Sequence, residues 1–94
     1  MNTPQKPFEP EHLIRLLHAQ YPQRTDVLRA LQLCSGGYWE SNDYIHFLRS
    51  HVFDQPNKET LVVEKLVLED QSERNIILEM VADGRIAGIG YVAR

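Results

Sequence analysis

Ile76-Ile77-Leu78-Glu79-Met80-Val81-Ala82-Asp83-Gly84-Arg85-Ile86-Ala87-Gly88-Ile89-Gly90-Tyr91-Val92 is the stretch whose reading decides the fold. β-Branched and apolar residues fill both flanks, and Asp83-Gly84 stands between them. A type I′ turn needs positive φ at both central positions, which Asp-Gly tolerates, so the stretch is predicted to be a β-hairpin with strands over 75–82 and 85–92. A two-residue loop pairs Ala82 with Arg85, Met80 with Ala87, Leu78 with Ile89 and Ile76 with Tyr91. Side chains alternate along a strand, so these residues share one largely apolar face that helices should cover. The other face carries Ile77, Glu79, Val81, Ile86, Gly88, Gly90 and Val92. It is bare where Gly88 and Gly90 lie beside Glu79.

The β-branched run after Thr60 predicts a further strand over 61–69. Its register follows from charge, because a slip of one residue would send every side chain to the opposite face. A four-residue loop of Asp70 to Glu73 would set Glu64 against Glu79, and facing like charges are destabilising. A five-residue loop of Asp70 to Arg74 sets Lys65 against Glu79 and turns Leu66 and Leu68 toward the core. The second register is predicted. Earlier in the chain, Tyr44-Ile45-His46-Phe47-Leu48 fits either a helix capped by Ser41 or a short strand bounded by turn formers. The strand is favoured. Ser50 to Lys58, with Asp54-Gln55-Pro56-Asn57, reads as a loop.

The N-terminal half is helical in pattern. Pro10 suits a first helical position, Phe8 can staple onto Leu13, and Leu13, Ile14, Leu16, Leu17 and Tyr21 form one stripe that Pro22 ends. A second helix is predicted from the cap candidate Thr25 through Val27, Leu28, Leu31 and Cys34 to a stop at Gly36-Gly37. Residues 1–7 read as a loose tail. Two helices before a β-meander give a single α+β domain over 1–94: an N-terminal helical hairpin on a three- to four-stranded antiparallel sheet.

Composition bounds what such a domain does. Its 94 residues, 43% hydrophobic and 24% charged, fit one globular unit. No apolar run approaches the roughly 20 residues of a membrane span, and residues 1–10 lack the apolar core of a secretory signal. The single cysteine allows no internal disulfide, so the cytoplasm is expected. A net charge of −3 with scattered Lys and Arg disfavours nucleic-acid binding, which needs a basic footprint.

No catalytic constellation is read from the residue pattern. His12, His18, His46 and His51 lack metal-site spacing, and no metal or cofactor is expected. Cys34 falls near a predicted helix C-terminus, where the dipole opposes a thiolate. Gly84, Gly88 and Gly90 precede no helix and so form no phosphate loop. Acidic residues gather at Glu69, Asp70, Glu73 and Glu79, with Asp83 nearby, and Tyr38, Trp39 and Tyr44 bring amphipathic rings together.

The hairpin run from Ile76 to Val92 resembles the ending of small bacterial domains of unknown function, in which a strand leads into Asp-Gly-Arg, two residues, and Gly-Ile-Glu. Tyr44-Ile45-His46-Phe47 and Leu66-Val67-Leu68-Glu69 are similar to the earlier strands of those domains, which also favours a strand at 44. Gly90 stands where that pattern has Glu, so no role of that carboxylate carries over. The resemblance implies an immunity or antitoxin-like protein, since some such domains occur beside toxin genes. The expectation is therefore a non-enzymatic protein-binding module with a protein partner such as a basic toxin, contacted by Glu69, Asp70, Glu73, Glu79, Asp83, Tyr38 and Trp39. The alternative is a small-ligand-binding or enzymatic domain using the face around Glu79, Gly88 and Gly90, completed by a second copy of the chain.

Overall fold

The computed structural model describes residues 8, 10–34, 37–47 and 62–93. The predicted tail over 1–7, the loop over 50–58 and the end of the predicted strand at Leu48 lie outside the described residues. Helix α1 spans Pro10–Gln20 and α2 spans Thr25–Gln32. Strands follow at β1 Tyr38–Ser41, β2 Tyr44–His46, β3 Val62–Asp70, β4 Arg74–Val81 and β5 Ile86–Ala93. They form one antiparallel sheet in the order β1-β2-β5-β4-β3. The fold is α+β, as predicted.

The helices cover one face of the sheet. Leu13 and Leu17 of α1 and Val27 and Leu31 of α2 sit at helical spacing and are buried. They pack on Ile45, Leu66, Leu68, Ile76, Leu78, Met80, Ile86 and Ile89. Each fully buried aliphatic side chain contributes about 1.5–3 kcal/mol through removal of apolar surface from water. Phe8 meets Phe47 edge-on, with centroids 4.9 Å apart.

Four sequence expectations need correction. Thr25 is the first residue of α2 rather than its cap; Arg24 holds the cap position and makes no side-chain cap bond. Its guanidinium instead bonds Asp26 and, at 2.8 Å, both oxygens of Glu64 on β3, which ties the start of the helix to the sheet. The helix also stops earlier, at Gln32, so Cys34 lies beyond its last turn and donates its thiol to the Ala30 carbonyl. Third, the sheet has five strands, because Tyr38–Ser41 pairs with β2. At four residues, with a bulge between Trp39 and Ser41, β1 is too short and too irregular to show a period of two.

The fourth correction is the hairpin itself. Positive φ among the described residues occurs at Gly84 (92°) and Glu73 (62°), not at Asp83, so the turn is not type I′. Gly84 N–H donates to the Val81 carbonyl and Val81 N–H to the Arg85 carbonyl, closing a three-residue loop over 82–84 with glycine in the left-handed position. The longer loop shifts pairing so that Met80 faces Ile86, and a bulge between Glu79 and Met80 leaves Ala87 as the extra residue. Ile86 therefore joins the core cluster instead of the opposite face. Beyond the bulge the shift is undone: Leu78 faces Ile89 and Ile76 faces Tyr91, as predicted.

The register of β3 is the one charge selects. Lys65 faces Glu79, Leu66 faces Leu78 and Leu68 faces Ile76. Lys65 is exposed, while Leu66 and Leu68 are buried under the helices. The outer edge of β3 is partly closed by α1 and the residue after it. Gln20 donates to the Glu69 carbonyl at 2.7 Å and accepts from the Glu69 N–H at 2.8 Å, and the Tyr21 hydroxyl donates to the Val67 carbonyl. Side chains that satisfy edge groups in this way remove them as a template for another strand.

Candidate functional site: the sheet face opposite the helices

Alternation places one row of side chains straight across the sheet on the face the helices leave. Lys65 of β3 stands opposite Glu79 of β4, Glu79 opposite Gly88 of β5, Gly88 opposite His46 of β2, and His46 opposite Tyr38 of β1. The adjacent row holds Val67, Ile77, Gly90 and Tyr44, and the next holds Glu69, Asn75 and Val92.

The bare glycine patch is filled from within the chain. Tyr44 lies over Gly88 and Gly90: a Cβ on Gly88 would overlap the Tyr44 hydroxyl, and one on Gly90 would lie 3.4 Å from the ring. Only the missing Cβ atoms let the ring settle on the strand. Its hydroxyl donates to Glu79, whose other oxygen is 3.6 Å from Lys65 Nζ. Burial, then the neighbouring Glu79 carboxylate, push the Tyr44 hydroxyl well above its usual pKa, so it stays protonated and serves as a donor. His46 packs on the Tyr44 ring at 4.6 Å, and its Nε2 is 3.0 Å from Glu40. The glycine face is thus a satisfied tyrosine and carboxylate contact and not an open pocket, which removes the geometric basis for a ligand seated between Glu79, Gly88 and Gly90.

The acidic residues that lie close in sequence are divided in space. Asp70 is only 6% exposed. Burial would raise its carboxyl, but hydrogen bonds from Ser72, Arg74 and His12 outweigh that and hold it at about 2. It is an internal anchor that presents little surface to solvent. Glu79 is half-buried against Tyr44. Glu69 and Glu73 are exposed beside the β3–β4 turn, while Asp83 is exposed at the other end of β4, roughly 25 Å away for a strand of this length. Asp83 accepts from the Arg85 backbone N–H and pairs with the Arg85 side chain at 2.6 Å, and these contacts lower its pKa.

The two expected aromatic contacts also part. Tyr38 is 52% exposed on the outer face. Trp39, one position on, points inward and stacks on Tyr91 at 6.0 Å; Tyr91 in turn lies under the Arg74 guanidinium. The structure keeps Ile77 (half-buried) and Val92 (50% exposed) on the outer face, where the sequence places them, and adds Val67 (38% exposed), which alternation within β3 could have found. Three carboxylates, Glu40, Glu69 and Glu79, share this face with the lysine at 65. Among the described residues, no group of three or more His, Cys, Asp or Glu able to hold a metal ion occurs, and no helix is long and apolar enough to cross a membrane. No protein-family model, no curated protein and no solved structure matches the chain.

Proposed function

We propose that the chain is a non-enzymatic protein-binding module whose contact surface is the sheet face opposite the helices. The observation that carries this reading is the exposure of Tyr38, Val67 and Val92 on a face where Tyr44 is bonded to Glu79 and His46 Nε2 to Glu40. A surface whose central side chains are already held in place, with an exposed ring and exposed aliphatic groups around them, suits association, because few side chains need to be ordered on binding. Its excess of carboxylates favours a partner presenting cationic and apolar groups, for which charge complementarity speeds encounter. The most concrete form is an immunity or antitoxin-like protein that masks a basic toxin.

Affinity capture from native lysate tests the reading. A basic protein retained at stoichiometric amounts, with an association rate that falls as salt rises from low to physiological strength, is the expected result. Recovery of the chain alone would refute it.

A further inference from the structure

A concavity lies away from the outer face, between α2 and the β4–β5 hairpin. Asp26, Arg29, Ala30 and Leu33 follow one another at helical spacing along one wall, and Asp83, Gly84, Arg85 and Ile86 form the facing wall. The open cleft has a volume of about 400 Å³, within the range of about 300–1,000 Å³ common for small-molecule sites. Ala30, Leu33, Cys34, Phe47 and Ile86 make its lining predominantly apolar. Leu33 is 74% exposed, the most exposed of the large apolar side chains among the described residues.

The charges at the rim decide what would fit. Asp26 is bonded by Arg24, which it shares with Glu64, and Asp83 by Arg85, so each carboxylate has a guanidinium partner within the chain. Arg29 is exposed and forms no ion pair with the described residues. An apolar cleft with one guanidinium left to offer is complementary to an apolar body ending in an anion, because guanidinium binds a carboxylate through two parallel hydrogen bonds. Cys34 donates its thiol to the Ala30 carbonyl, and burial pushes that thiol up to about 12, so it contributes to the lining as an uncharged group.

We propose that the cleft between α2 and the β4–β5 hairpin binds a small apolar monocarboxylate, with the hydrocarbon against Leu33, Phe47 and Ile86 and the carboxylate on Arg29. The site is separate from the outer sheet face, so it stands or falls independently of partner binding there.

Octanoate serves as the probe, titrated into the full chain and followed by backbone amide NMR shifts, with octylamine as the opposite-charge control. Saturable shifts confined to residues 26–34, 47 and 83–86 are expected, with octylamine giving none. Arg29→Gln should weaken octanoate about tenfold, the loss of one charge-assisted pair. Leu33→Asp, at an exposed position that folding does not need, should abolish binding by placing a like charge at the mouth. Shifts that do not saturate, equal binding by Arg29→Gln, or equal binding of octylamine would each overturn the proposal. Unchanged thermal unfolding of both variants keeps the comparison valid.

Discussion

The ring of Tyr44 lies where a Cβ on Gly88 would have to go, so Gly88→Ala must displace the ring and break its hydroxyl bond to Glu79. We expect a loss of about 1–3 kcal/mol in denaturant unfolding, the usual cost of forcing volume into a packed site. Gly90→Ala, where the added carbon would only touch the ring at 3.4 Å, should be close to neutral. The cause is checked by a double-mutant cycle: in a Tyr44→Ala background, Gly88→Ala should cost about 1 kcal/mol less than in the native chain. Equal costs in the two backgrounds would mean that Tyr44 is not what excludes a side chain at 88. The bareness of Gly88 and Gly90 beside Glu79 is legible in the sequence. What fills it is not, because the pairing of β2 with β5 joins residues some 45 positions apart and no local pattern encodes it.

At the scale of elements, the β4–β5 hairpin and the β3 register follow from turn chemistry and from the opposition of Lys65 and Glu79. The detail of the turn does not follow, since Asp-Gly serves both a two-residue loop and a three-residue loop with glycine last. Gly84 has φ of 92° with open space around it, so Gly84→Ala carries a backbone cost alone. A loss of about 1 kcal/mol, without change in the outer-face contacts, is expected by chemical denaturation. No loss would contradict the left-handed turn.

The β3–β4 turn carries the buried Asp70. Its carboxyl titrates at about 2 in the folded protein, below the ordinary value of 3.8. A depressed folded value contributes stability above the unfolded pKa that is lost as pH falls toward the folded one. Unfolding free energy should therefore decline between about pH 4 and pH 2, and Asp70→Asn should lower stability at pH 6 while flattening that decline. An unchanged acid profile in Asp70→Asn would show that the ring of Ser72, Arg74 and His12 does not hold the charge. In sequence Asp70 is one more acidic residue in a turn, and its burial depends on α1 bringing His12 to the end of β3.

Across the whole molecule, the helices cover one sheet face and not the other, and the proposed contact surface is the second. Composition and pattern give the α+β class and the helical hairpin. They group the acidic residues by sequence distance, whereas an extended β4 carries Asp83 away from Glu69 and Glu73 and the core takes Asp70. The proposed contact surface is built around Tyr38, Val67 and Val92, with Glu40, Glu69 and Glu79 supplying charge. Its most direct test is capture from native lysate by three versions of the chain: the native form, the Val67→Glu, Val92→Glu double variant, and an Arg15→Glu control on the exposed side of α1. All three substitutions lie at exposed positions and should leave the fold intact. We predict that the native chain and the Arg15→Glu control retain the same protein in stoichiometric amounts and that the double variant loses it. Equal retention by the double variant would contradict the assignment of the outer sheet face as the binding surface.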